Sequence, residues 1–254
     1  MKDLIMTSIS CIIPAWNAEK FLAEAVASVQ SQSHPVDEII VVDDGSTDRT
    51  AEVAAALPGV TLIRQENAGV GVARNTGIAA ARGALLSFND ADDLWAPDKI
   101  ALQLAAFDAD QALDLCFGMV EHRDVRAETP DMRQLKLPEG DVPGRLIPNM
   151  LAKAGVFDTV GLFDTARTTT VEQEWLLQVR EAGLKEVTLP QLTLVRRVHG
   201  ENMTLRLAHE KRQDYKIMME KIFRGRRAAG KSPAASHTWQ AGDTNKGTPG
   251  DTDA

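Results

Sequence analysis

Across its first 110 residues the chain alternates two kinds of segment, and this alternation constrains the fold more than anything else in it. Runs rich in β-branched and other apolar residues occupy positions 9–13, 38–42, 60–64 and 84–88. Alanine-rich stretches with helical spacing follow at 18–32, 47–57, 70–81 and 97–107. Strands separated by helix-length crossovers pair in parallel, and a parallel sheet needs cover on both faces. The pattern therefore predicts an α/β chain, a Rossmann-like, mostly parallel sheet flanked by helices in a single domain. Local signals agree. Asn17 is placed to cap the first helix and Ser46 or Thr47 the second, while Pro97 suits the first turn of the fourth. Pro58-Gly59 ends the second helix, and Gly83 takes the C′ place after the third.

Beyond residue 110 the pattern loosens, and we divide the chain into 1–110, 111–224 and 225–254. Residues 120–145 are polar, contain three prolines and read as a long excursion or lid. A turn-rich link at 155–161 precedes an expected helix at 170–182, a strand within 184–199 and a long amphipathic helix at 204–223. The last 30 residues lack apolar periodicity and read as a disordered tail. Cys11 and Cys116 lie in apolar runs without metal spacing, which fits buried, reduced thiols in a cytoplasmic protein. No run has the length of a membrane span, and the N-terminus lacks a signal-peptide pattern. The net charge of −8 argues against a nucleic-acid binder. Residues 195–231 nevertheless carry +7, suited to a solvated helix face, to contact with anionic diphosphates or to a peripheral membrane surface.

In an open parallel sheet, ligands bind beyond the carboxyl ends of the strands. Here those ends read Pro14-Ala15-Trp16-Asn17, Asp43-Asp44-Gly45-Ser46, Glu66-Asn67-Ala68-Gly69 and Asn89-Asp90-Ala91-Asp92-Asp93. A lone acidic turn is commonly a solvated helix start. Several converging on one edge point to a cation and a polar ligand. Carboxylates at Asp90 and Asp92 can share a hard divalent ion, Mg²⁺ or Mn²⁺, and leave sites open for phosphate oxygens. Asp43 and Asp44 stand where such folds hold a ribose or base, and Trp16 can stack on a planar base. The glycines at 69, 71 and 77 do not form G-x-G-x-x-G and follow the third strand, so a dinucleotide site is disfavoured. Arg74, on the third helix, can face a base or phosphate or be solvated.

Four ordered blocks carry a family resemblance: CIIPAWNAEKFLAEAVASVQSQ, DEIIVVDDGSTDRTAEV, ENAGVGVARNTGIAAARG and LLSFNDADDLWAPDKI. Together they resemble a family 2 glycosyltransferase of the GT-A fold. The resemblance implies an inverting enzyme that uses a nucleotide-diphosphate sugar and a divalent cation. By resemblance, 1–110 is the nucleotide-sugar-binding half and 111–224 the acceptor half. Pro14, Trp16, Asp43, Asp44 and Asn67 then line the nucleotide pocket with Arg74 near it. Asp90 approaches the ribose, and Asp92 holds the metal.

The match is looser in the second half. VFDTVGLFDTARTTTVEQEWLLQVREAGLK resembles a family stretch in which an acidic pair, usually Glu-Asp, precedes a helix. Val171-Glu172 stands there, with a further acid at Glu174, so the general base is either Glu172 or Glu174. Residues two apart on a helix point to different faces, so one of the two is expected to reach the site. LVRRVHGENMT resembles the family's Arg-x-His segment. It implies His199 on the diphosphate or in the metal shell, with Arg196 or Arg197 on phosphate. The expected activity is hexosyl transfer to an acceptor hydroxyl on a saccharide, lipid carrier, peptide or small molecule. The missing acidic pair motivates an alternative, a catalytically impaired nucleotide-sugar-binding protein of the same fold. An oxidoreductase is disfavoured, since the first strand lacks the glycine turn a pyrophosphate needs. A processive synthase is disfavoured because no Gln-x-x-Arg-Trp-like segment occurs.

Overall fold

The side-chain alternation of the first strand decides how the layers assemble, and a computed structural model describing residues 8–126, 137–166, 169–200 and 214 shows it. In β1 (Ile9–Ala15), Ile9, Cys11 and Ile13 join one core with helices α1 (Leu22–Gln30), α2 (Thr50–Ala56) and α4 (Lys99–Ala109). Ile12 points the other way, into a core built with α5 (Gly155–Val160) and α6 (Val171–Glu181). On that same face β2 (Glu38–Asp44) gives Ile40 and Val42 to α3 (Val70–Ala80). Period-two patterning thus buries both faces, as the sequence predicts for a sheet of this kind.

The remaining strands are β3 (Val60–Gln65), β4 (Leu85–Phe88), β5 (Leu94–Trp95), β6 (Leu115–Asp124), β7 (Val142–Gly144), β8 (Leu151–Lys153) and β9 (Glu186–Val198). The described strands form one sheet in the order β3-β2-β1-β4-β8-β6-β9-β5, with β7 beside β6. β3, β2, β1 and β4 run parallel, β8 enters antiparallel to β4 and β6, and β6 and β9 are again parallel. Gly77 of α3 lets that helix sit directly on β1, because a Cβ there would collide with Ile12.

Several local expectations are corrected. Asn17 does not cap α1: its φ is +50°, and its side-chain oxygen accepts from Thr47 N–H at 2.8 Å. Ala18 to Phe21 form a separate turn, and the helix starts only at Leu22. Neither Ser46 nor Thr47 caps α2; Asp48 accepts from Thr50 N–H at 2.9 Å instead. Pro97 lies just before α4 rather than in it, and Gly83 lies beyond the end of α3, packed against Ser10. The segment 155–161 is a short helix, α5, rather than a bare link. The lid expected at 120–145 is cut at both ends. Glu121 to Asp124 continue β6 against Val195 to Val198, and Val142–Gly144 pair with β6 as β7. Residues 127–136, the helix expected at 204–223 apart from Asp214, and the tail lie outside the described residues. Among the described residues no helix is long and apolar enough to cross a membrane.

Candidate active site

The turns after β1 and β2 are laced together by their own polar groups. Asn17 N–H donates to Ser46 Oγ, Ala18 N–H to Thr50 Oγ1 at 2.7 Å, and Glu19 N–H to Asp48. This lacing holds open a cavity of about 1030 Å³ beyond the strand ends. Pro14, Trp16, Asp44, Asn67, Arg74, Asp90, Asp92, Glu172 and His199 all line it. Trp16 stands on the cavity wall, 44% exposed.

The two aspartates after β2 divide the work. Asp44 Oδ1 accepts from Gln65 Nε2 and Ala68 N–H, and Oδ2 accepts from Gly69 N–H at 2.8 Å. It therefore shapes the turn into α3 while keeping an edge on the cavity. Asp43 is fully buried, pairs with Arg64 and Ser46 N–H, and does not line the cavity. Gly45 (φ +69°) permits this close turn, since a Cβ would lie 2.6 Å from Asn67 N.

Arg74 is not solvated: it is 1% exposed, and its Nη2 donates to Asp90 Oδ1 at 2.9 Å and Glu172 Oε1 at 2.8 Å. Its Nε and Nη1 are buried without a partner among the described residues. Such N–H groups are costly unless a ligand oxygen satisfies them. Glu172 faces the cavity, whereas Glu174 turns inward, 5% exposed, accepting from Thr170 Oγ1 at 2.9 Å. Two residues along a helix turn a side chain through about 200°, which separates the pair. Gln173 also lines the cavity, with its Oε1 buried and unpartnered among the described residues.

Asp90, Asp92 and Asp93 place carboxylate oxygens within 4.8 Å of one another. Removal from water and the carboxylates of Glu172 and Asp92 push Asp90 up to about 6, against the pull of Arg74. Burial, then Asp92 and Asp90, push Asp93 well above the usual carboxylate range. Clustered carboxylates that resist ionising together are relieved by a divalent cation, and an all-oxygen set suits a hard one. Asp93 was not among the expected ligands, although its place beside Asp92 in the motif was the available signal. His199 touches this group at Asp92, with Nε2 2.9 Å from Oδ2. The two arginines before it part company. Arg196 lines the cavity, whereas Arg197 is 5% exposed and bonds to Asp92 O, Glu24 and Phe21 O. Arg197 braces the acidic loop, a role the sequence did not suggest.

An open α/β sheet with carboxylates at the ends of its parallel strands and a further acid across the cavity defines a protein of the GT-A type. The chain belongs to glycosyl transferase family 2, whose model matches residues 10–164. It is 39% identical over 101 residues to the putative teichuronic acid biosynthesis glycosyltransferase TuaG of Bacillus subtilis, covering 38% of this chain and 40% of that protein. It is 27% identical over 229 residues to the chondroitin synthase of Escherichia coli, covering 85% of this chain and 33% of that one. The chain thus spans well under half the length of these curated relatives. Among solved structures, S. aureus TarS in complex with UDP matches with a TM-score of 0.63 at 21% identity, covering 75% of this chain and 60% of that one. TarS in complex with UDP-GlcNAc matches at 0.61 and 22%, covering 77% and 60%. At these identities the likeness shows the fold.

Proposed function

We propose that the chain moves a sugar, with inversion, from a nucleotide-diphosphate donor to an acceptor hydroxyl. The observation that carries this reading is the single cavity shared by the strand-end acids and Glu172, bridged by one buried arginine nitrogen. Trp16, Asp44 and Asn67 form the wall suited to the nucleoside. The Nε and Nη1 of Arg74, without partners among the described residues, offer buried N–H groups to oxygens of the sugar donor. Asp90, Asp92 and Asp93 would hold Mg²⁺ or Mn²⁺, which supplies Lewis-acid stabilisation of the leaving diphosphate. Arg196 adds positive charge at the same wall, and His199 orients Asp92. Glu172 takes the proton from the attacking hydroxyl, and the hydrogen bond from Arg74 Nη2 fixes its carboxylate in place. The half-buried, cavity-facing Glu172 speaks against the impaired alternative, since one correctly facing carboxylate suffices as base.

A screen of UDP-, GDP- and dTDP-sugars for Mn²⁺-dependent thermal stabilisation tests the reading. A donor at 100 times its Kd should stabilise the chain by about 2.7 kcal/mol. A chain that no nucleotide sugar stabilises, with or without Mn²⁺, refutes it. The TarS complexes make UDP and UDP-GlcNAc the first ligands to try.

A further inference from the structure

Phe21 has no place in the chemistry above, yet it lines the cavity and touches two of the residues around the acidic loop. Its ring stacks on the His199 imidazole with centroids 4.5 Å apart and planes 27° from parallel. The Arg197 guanidinium carbon lies 5.0 Å from the centroid of the same ring, and Arg197 Nη2 donates to Phe21 O at 3.4 Å. Phe21 is brought there because α1 begins late: the residue just before the helix projects at the cavity rim instead of into the sheet core. Its aromatic face meets one ring that can hydrogen-bond Asp92 and one cation that already does so through the Asp92 carbonyl. Glu24, one turn further along α1, pairs with the other end of Arg197.

We propose that Phe21 is a positioning residue for the cation site, acting through His199. Asp92 fixes the imidazole at Nε2, and stacking fixes its plane; the two constraints together leave one orientation. A His held in this way keeps the Asp92 carboxylate aimed at the triad instead of at solvent. Outer partners of this kind set metal affinity by orienting the carboxylates that bind. An aliphatic side chain of similar bulk fills the space but offers neither a flat face for imidazole nor π density for the guanidinium. The proposal rests on the reading of Asp90, Asp92 and Asp93 as a cation site.

The test measures Mn²⁺ binding to the full chain by electron paramagnetic resonance, alone and with UDP, GDP or dTDP. Phe21→Leu is expected to weaken Mn²⁺ binding by about 3- to 10-fold, and Phe21→Tyr to restore it to within about twofold. In a His199→Gln background, Phe21→Leu should cost nothing more. Thermal melting checks that each variant is folded; Phe21 stands at the rim, outside the buried clusters. Unchanged Mn²⁺ affinity in Phe21→Leu overturns the proposal alone, as does a loss that persists undiminished without His199. A wild-type chain that binds no Mn²⁺ under any of these conditions overturns the cation site, and this proposal with it.

Discussion

Lys99 is fully buried at the start of α4, with no carboxylate beside it among the described residues. Its Nζ donates to Ser87 Oγ at 2.9 Å and Gln103 Oε1 at 2.7 Å, and lies 4.4 Å from the Trp95 ring centroid. Burial lowers its pKa from 10.5 to about 7. That displacement corresponds to roughly 5 kcal/mol against the charged folded form. The sign follows from proton binding. Below pH 7 Lys99 is protonated folded and unfolded, so its penalty is complete and has no slope. Between 7 and 10.5 only the unfolded chain keeps the proton, and stability rises with pH. From pH 6 to pH 9 this adds about 2–3 kcal/mol. Urea unfolding of wild type and Lys99→Met at both pH values should therefore show a wild-type rise that exceeds the variant's by that amount. Burial pushes the Cys11 and Cys116 thiols upward, so neither ionises in the folded state within this range, and their unfolded-state titration cancels between the two proteins. Lost bonds to Ser87 and Gln103 shift the variant by a pH-independent offset, which the comparison removes. Curves that run parallel within about 0.5 kcal/mol would refute the lowering of the Lys99 pKa by burial, because they mean the folded chain keeps the proton as the unfolded one does.

Three further outcomes are expected. Asp92→Ala should abolish Mn²⁺ binding and Mn²⁺-dependent stabilisation by nucleotide while circular dichroism stays unchanged; full transfer activity in this variant contradicts the cation assignment. Glu172→Gln should lower kcat by about 10²- to 10⁴-fold, whereas Glu174→Gln should leave kcat within a few-fold but lower Tm, because Glu174 holds Thr170. Normal turnover by both variants places the base elsewhere. Gly77→Ala should cost about 1–3 kcal/mol, and so several degrees in Tm, because its methyl group meets Ile12; an unchanged melting curve means α3 can shift on β1.

The donor side was legible because each strand there announces itself by β-branched runs and ends in polar residues that the sheet must deliver to one edge. β1 to β4 all start within a residue of their expected positions. The caps were misread because Asn17 spends its side chain on the neighbouring strand end, a long-range partner that local spacing cannot reveal. Beyond residue 110 charge misled: Glu121, His122, Arg123 and Asp124 resemble a loop, yet β9 supplies a partner strand for them. β9 itself absorbs Pro190 at an irregularity in its register with β6, between Thr188 and Leu192. Lys99 gave no sign of burial at all. A lysine at a helix start reads as solvated, and only the packing of β4, α4 and the turn before β8 shows the oxygen atoms that receive it.

The departure that most weakened the sequence reading, Val171 where the family's stretch has an acid, finds a physical role in the structure. Val171 is 3% exposed, and its methyl groups lie 3.2 and 3.6 Å from where a Gly71 Cβ would stand. A glycine on α3 facing a valine on α6 brings the two helices into close contact. Asn75 tightens the same junction by exchanging two hydrogen bonds with the backbone of Phe163. That approach carries Arg74 within reach of Glu172 as well as Asp90. A second carboxylate at 171 would have to be buried against Gly71 in place of methyl groups that fill the contact between the two helices. The apolar residue is therefore consistent with a working base one position later: Val171 seats the helix, and the helix presents Glu172.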